Sequence, residues 1–182
     1  MWILEKTDIF KNASRKKVLI LGFFIIFLLG TFFTISVINS TRKENNFILL
    51  QSAKIAAAFI NKQLVSELHG NEKDFSNESY IQLKYLFTKI NNNIKDNRYI
   101  YLIGKNGDSL FFYFDTQPDV YNLDADAEPL AYPGEIYTEA PQEFYFAFKN
   151  KKEYIVGPYS DKWGSFISAI IPVYDEDNKV IA

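Results

Sequence analysis

The sequence predicts an α+β protein carried on one membrane-spanning helix, and three observations predict it. The first is an uncharged apolar run from Val18 to Ile38, 21 residues that at helical rise cross a hydrocarbon core of about 30 Å. The second is a pair of stretches after it with apolar residues three and four apart, the period of amphipathic helices. The third is a change of pattern at Arg98, beyond which aromatic and β-branched segments alternate with Gly, Pro and Asn turns.

The apolar run follows a basic tail in which Lys6, Lys11, Arg15, Lys16 and Lys17 face only Glu5 and Asp8, while Arg42 and Lys43 are the near cations beyond it. That bias keeps residues 1–17 in the cytoplasm, makes 18–38 the transmembrane helix, and places everything after about Asn39 outside the cytoplasm. The run exceeds the h-region of a cleaved signal peptide and no small-residue cleavage pair follows it. Gly30 and Thr34 form a small-xxx-small pair, a feature of helix pairs in membranes, and a homodimer is expected.

Residues 39–97 read as a helical stalk and helix pair. Leu49, Ala53, Ala56, Ile60, Leu64 and Leu68 trace one face of a long helix that Gly70 closes. Ser76 or Asn77 can cap a second helix with Glu78 in its first turn, Tyr80, Leu83, Phe87, Ile90 and Ile94 as its stripe, and Asn91–Asn93 as its end. Residues 98–182 read as a sheet. Tyr99–Ile103 and Leu110–Phe114 flank Asn106-Gly107 as a hairpin apolar on both faces, hence covered on both sides. The long Pro- and Tyr-bearing loop 116–140 follows; Pro141 can open a short helix to about Phe148. Strands are expected at Tyr154–Val156, beyond a Gly157-Pro158 turn at about Ser165–Tyr174, and from Lys179 to the end.

Composition narrows the chemistry. There is no Cys and one His, His69, so thiolate chemistry, the commonest zinc sites and the usual nucleophilic triads lack their parts. No phosphate-binding Gly-Lys loop occurs, and the mildly acidic outer part makes no electrostatic case for nucleic acid. Asp124, Asp126 and Glu128 lack the glycine and closing glutamate of a calcium loop. No catalytic constellation, metal or cofactor is expected.

Tyr99-Ile100-Tyr101-Leu102, Asp115, Pro133-Gly134 with Tyr137, and above all Gly157 to Ser165 running into Ser168-Ala169 and Pro172-Val173, resemble the extracytoplasmic Cache domains. These are PAS-like sensors found ahead of diguanylate cyclase and histidine kinase modules. The resemblance covers roughly residues 40–182. It implies an antiparallel sheet of about five strands flanked by helices, with the last strand between the first strand and the Ser165–Tyr174 strand. It also implies a returning helix, a second span and an output module, so the chain ending at Ala182 is read as a fragment cut in its last strand.

The expected function is small-ligand sensing for a membrane receptor; a membrane-anchored adhesion or assembly protein is the alternative from another class. A tethered hydrolase using Asp115 and Asp161 as acid and base is a third. Candidate ligand-binding residues are Tyr101, Tyr113, Asp115, Tyr137, Tyr154, Tyr159, Asp161, Trp163 and Ser168. Asp161 can accept from a cationic or amino ligand with Trp163 as a pocket wall, or it can cap its own turn while Trp163 fills core. Aromatic strand residues usually pack as core, so the tyrosines suit a pocket wall more as a set than singly, and strand alternation puts Tyr113 and Asp115 on one face.

Overall fold

The computed structural model describes residues 2–95, 97–118 and 129–182, with side chains described from Arg15 onward. Two compact units emerge, Met1–Asn45 and Asn46–Ala182. Helix α1 (Trp2–Ala58) supplies the described part of the first unit and opens the second. Between Arg15 and Ala58 it is long and apolar enough to cross a membrane, and its apolar stretch is not buried by the rest of the structure. The hydroxyls of Thr31 and Thr34 donate back to the carbonyls of Phe27 and Gly30 at 2.8 and 2.9 Å, which satisfies them within the helix.

In the second unit the stalk helix stops at Ala58 rather than Gly70. Phe59 and Ile60 close its last turn on Ala56 and Ala57, and Asn61 then caps a separate short helix α2 (Lys62–Ser66) by accepting from the Gln63 amide at 3.0 Å. A side-chain cap in mid-stripe competes with continuation of the helix. Gly70, at φ +64, is instead tied with His69 to the buried carboxylate of Asp74 through backbone amides at 2.7 to 3.1 Å. A 3-10 turn (Glu72–Ser76) leads to Asn77, which caps α3 (Glu78–Asn93) through the Ser79 amide as expected.

Strands β1 (Ile100–Asn106) and β2 (Ser109–Thr116) form the expected hairpin, with Gly107 at φ +57 in the turn. A bulge interrupts it: Leu102 pairs with Phe114 and Ile103 with Phe112, leaving Tyr113 unopposed. The extra residue flips the strand's alternation. Phe114 therefore joins Tyr80, Leu83 and Phe87 of α3 and Val65 of α2 in one core, while Phe112 and Leu110 join Tyr137, Phe144 and Val156 in the other. Both faces are thus covered. Asn91 locks α3 to the end of β2, donating to the Thr116 carbonyl at 3.0 Å.

Residues 134–137 add to the outer edge of β2 through Gly134, Phe112 and Tyr137 amides at 2.8 to 2.9 Å, so the long loop returns as an irregular extra strand. Helix α4 (Gln142–Asn150) follows Pro141. Strand β3 (Tyr154–Asp161) runs through Gly157-Pro158, where a register shift replaces the expected turn, and pairs antiparallel with β4 (Gly164–Ile170). Gly157 is at φ +125, and a Cβ there would meet the Phe166 carbonyl at 2.5 Å.

A five-stranded sheet is not what these strands form. They make two separate two-stranded antiparallel sheets, β1–β2 and β3–β4. The last residues do not lie between β1 and β4 as a paired strand. Val173 and Ala182, Ile181 and Val173, and Asp175 and Lys179 share backbone bonds of 2.8 to 2.9 Å, folding the end onto the segment just before it, around the Asp175–Asn178 turn. The turn is local, so its closure needs little chain entropy.

Candidate functional site

Five of the nine candidate residues meet in one hydroxyl chain. β1 brings Tyr101, β4 brings Ser168, β3 brings Tyr159 and Asp161, and the segment paired to β2 brings Tyr137. Tyr101 donates to Ser168 Oγ at 3.0 Å, Ser168 and Tyr159 hydroxyls are 2.9 Å apart, Tyr159 and Tyr137 hydroxyls 3.4 Å, and Tyr137 donates to Asp161 Oδ2 at 2.7 Å. Tyr137 has one proton and two acceptors in reach, Tyr159 at 3.4 Å and the Asp161 carboxylate at 2.7 Å, and the shorter, charge-assisted bond takes it. Burial raises the phenols of Tyr101 and Tyr137 far above their ordinary range; neighbouring Tyr159 and Asp161 push the same way. Both are therefore neutral donors at any physiological pH.

At the other end, Asp161 Oδ1 accepts from the Trp163 amide at 2.9 Å, so its carboxylate caps its own turn and holds Tyr137. Trp163 packs edge-on against Phe112 and Tyr137 and donates Nε1–H to the Pro129 carbonyl at 2.9 Å. Lys162 lies 4.2 Å over the Trp163 ring, pairs with Glu135, and donates its amide to Glu139 at 3.0 Å. The turn is thereby stitched to the 129–139 segment, and the geometry is that of a capped turn over a filled core.

A cavity of about 140 Å³ lies on the β1 and β4 side of this chain. Its walls are Leu49, Ser52, Ala53 and Ala57 of α1, residues 99–103 of and before β1, residues 167–173 of and after β4, α3 through Phe87, and α4 through Phe144, Ala147 and Phe148; Ile60, Ile94, Asn97, Val180 and Ala182 complete it. Of the nine candidates, only Tyr101 and Ser168 line it. No Asp, Glu, Lys, Arg or His does. Leu49, Ala53 and Ile60 belong to the stripe that the sequence marks as apolar, but nothing in their spacing distinguishes a cavity wall from a core contact.

The remaining candidates sit apart from both features. Tyr154 accepts from Asn150 Nδ2 at 2.8 Å and tilts over Phe146, on the α4 side of β3. Tyr113 packs on Phe111 and the α3-side core, its phenol raised by burial and then by the Asp74 charge. Asp115 is on the other side of the sheet because the bulge lies between them: it opposes Tyr101 in register and accepts from the Ala131 amide at 3.1 Å. That corrects the shared face that strict alternation predicts. Asp115 is 4 % exposed, its Oδ1 has no hydrogen-bond partner among the described residues, and burial raises its carboxyl to about 7. It is not bonded to Asp161, whose two oxygens are taken by Tyr137 and Trp163. Asp124, Asp126 and Glu128 lie outside the described residues, and among those described no group of three metal-ligating side chains occurs.

No family model, curated protein or solved structure matches the chain.

Proposed function

We propose that this chain is the extracytoplasmic, small-ligand sensing part of a membrane-bound signal-transduction receptor of the sensor histidine kinase or diguanylate cyclase type, acting as a homodimer. The observation that carries the reading is the cavity: its wall includes Leu49, Ser52 and Ala53 on α1, the helix that also contains the membrane-length apolar stretch. A molecule seated there touches α1, β1 and β4 together, three elements that no backbone bond joins among the described residues. Two arrangements of those elements with different cavity shapes would differ in ligand affinity, and the ligand shifts their balance by that difference alone. The Cache resemblance of residues 99–102 and 157–173 supports the same reading.

A membrane-anchored assembly protein is the second reading. Ile81 and Tyr85, one turn apart on α3 and 53 % and 65 % exposed, favour it as a protein-binding stripe.

One experiment tests the topology both share, and a second separates them. A reporter fused after Asp175 is expected to be active only outside the cytoplasm, and activity inside would end both readings. A thermal-shift screen of the full chain in detergent against neutral, cationic and anionic small molecules is expected to find a stabilising compound, since ligand at about 100 times its dissociation constant adds roughly 2.7 kcal/mol. A screen without hits, with binding lost instead on Tyr85→Glu in a pull-down of a defined protein partner, decides for assembly.

A further inference from the structure

The structure assigns the cavity beside β1 and β4 to an uncharged, single-ring molecule carrying one hydrogen-bonding group, a class that excludes the amines and carboxylates for which Asp161 is the obvious anchor. This rests on the sensing reading and narrows its ligand.

Three observations carry it. First, no charged side chain lines the cavity, and the nearest carboxylate on the hydroxyl chain, Asp161, has both oxygens engaged by Tyr137 and Trp163. An ion brought against such a wall gives up part of its hydration, and no charged side chain on the wall replaces it. Second, the cavity is about 140 Å³ and walled mainly by Leu, Ile, Ala and Phe side chains, the scale and lining that hold one aromatic ring. Third, the polar groups on the wall are neutral. Tyr101 donates to Ser168 Oγ, and a phenol oxygen can also accept, so this group can take a ligand hydroxyl or N–H. The hydroxyl chain behind it, ending on Asp161, holds that polarity in place.

Benzyl alcohol, benzylamine and benzoate share a ring and differ in charge, so they form the test. Binding to the full chain in detergent is measured by calorimetry, with Ala53→Leu, which fills the α1 wall, as the control for partition into micelles. The expected result is saturable benzyl alcohol binding lost in Ala53→Leu, with both ions at least about 100-fold weaker at neutral pH. Tyr101→Phe, which keeps the ring and removes the acceptor, is expected to weaken benzyl alcohol several-fold while leaving toluene unchanged. That variant decides the polar contact even if Ala53→Leu does not fold.

Benzylamine or benzoate binding as tightly as the alcohol overturns the neutral class and leaves the sensing reading standing. Failure of all three at millimolar concentration overturns the single-ring occupant, and the broader screen then judges sensing separately. Exclusion of benzyl alcohol together with strong hydrogen-exchange protection of both facing strand edges, Ile100–Gly104 and Phe166–Ile170, shows the space filled by a chain segment and also overturns it.

Discussion

Replacing Asp115 by Asn isolates the effect of burying one carboxylate. In the folded chain this group is buried, with one oxygen on the Ala131 amide and the other without a partner among the described residues. Burial raises its carboxyl from 3.8 to about 7; the Ala131 amide and Lys84 oppose the rise and Glu135 adds to it. The folded state therefore holds this proton more tightly than the unfolded chain. Stability is unaffected by Asp115 below the unfolded value, falls as pH rises through the interval, and carries the full penalty above about 7. At about 1.4 kcal/mol per unit, the penalty is on the order of 4 kcal/mol. Asn keeps an oxygen for the Ala131 amide and has no proton to lose. Urea melts of both 182-residue chains in detergent, from about pH 4 to about pH 8, should show the variant gaining roughly 4 kcal/mol on wild type across the range, because every other titrating group cancels in the difference. A difference independent of pH would refute the argument and place Asp115 in contact with water or a cation.

Other perturbations probe the packing. Phe114→Ala empties a fully buried site edge-on to Tyr80 and Phe87, and should cost about 3 to 5 kcal/mol in the urea midpoint analysis; a loss under about 1 would deny it a core role. Tyr137→Phe leaves Asp161 Oδ2 without its donor and should cost roughly 1 to 3 kcal/mol, with Asp161→Asn costing less in that background than alone. Gly134→Ala meets a left-handed φ of +88 and a Cβ approach of 2.6 Å to the Gly70 carbonyl, so a loss of at least about 1 kcal/mol is expected by thermal melts.

Features that depend on a few adjacent residues were legible before any fold was known. The apolar stretch within α1, the Asn77 cap and stripe of α3, the hairpin around Gly107, and α4 after Pro141 are all local matters of period, cap and turn chemistry. Covering of the β1–β2 hairpin on both faces was legible for the same reason, since no polar face exists to be wetted. Tertiary structure decided what depends on distant partners. The bulge at Tyr113 sends Phe112 and Phe114 to opposite cores, and it separates Tyr113 from Asp115 although their spacing pairs them. Asp74, although only four and five residues on, takes the amides of Gly70 and His69, so the glycine read as a helix end became a loop anchor. Asp161 was readable as a ligand anchor or a turn cap; the bond to the Trp163 amide is the local cap, and the Tyr137 hydroxyl that reaches its other oxygen from 24 residues away is a property of the folded chain. Ser168 and Tyr101 reached the cavity wall for the same physical reason: a hydrogen bond spanning 67 residues is a property of the folded chain, and no local pattern encodes it.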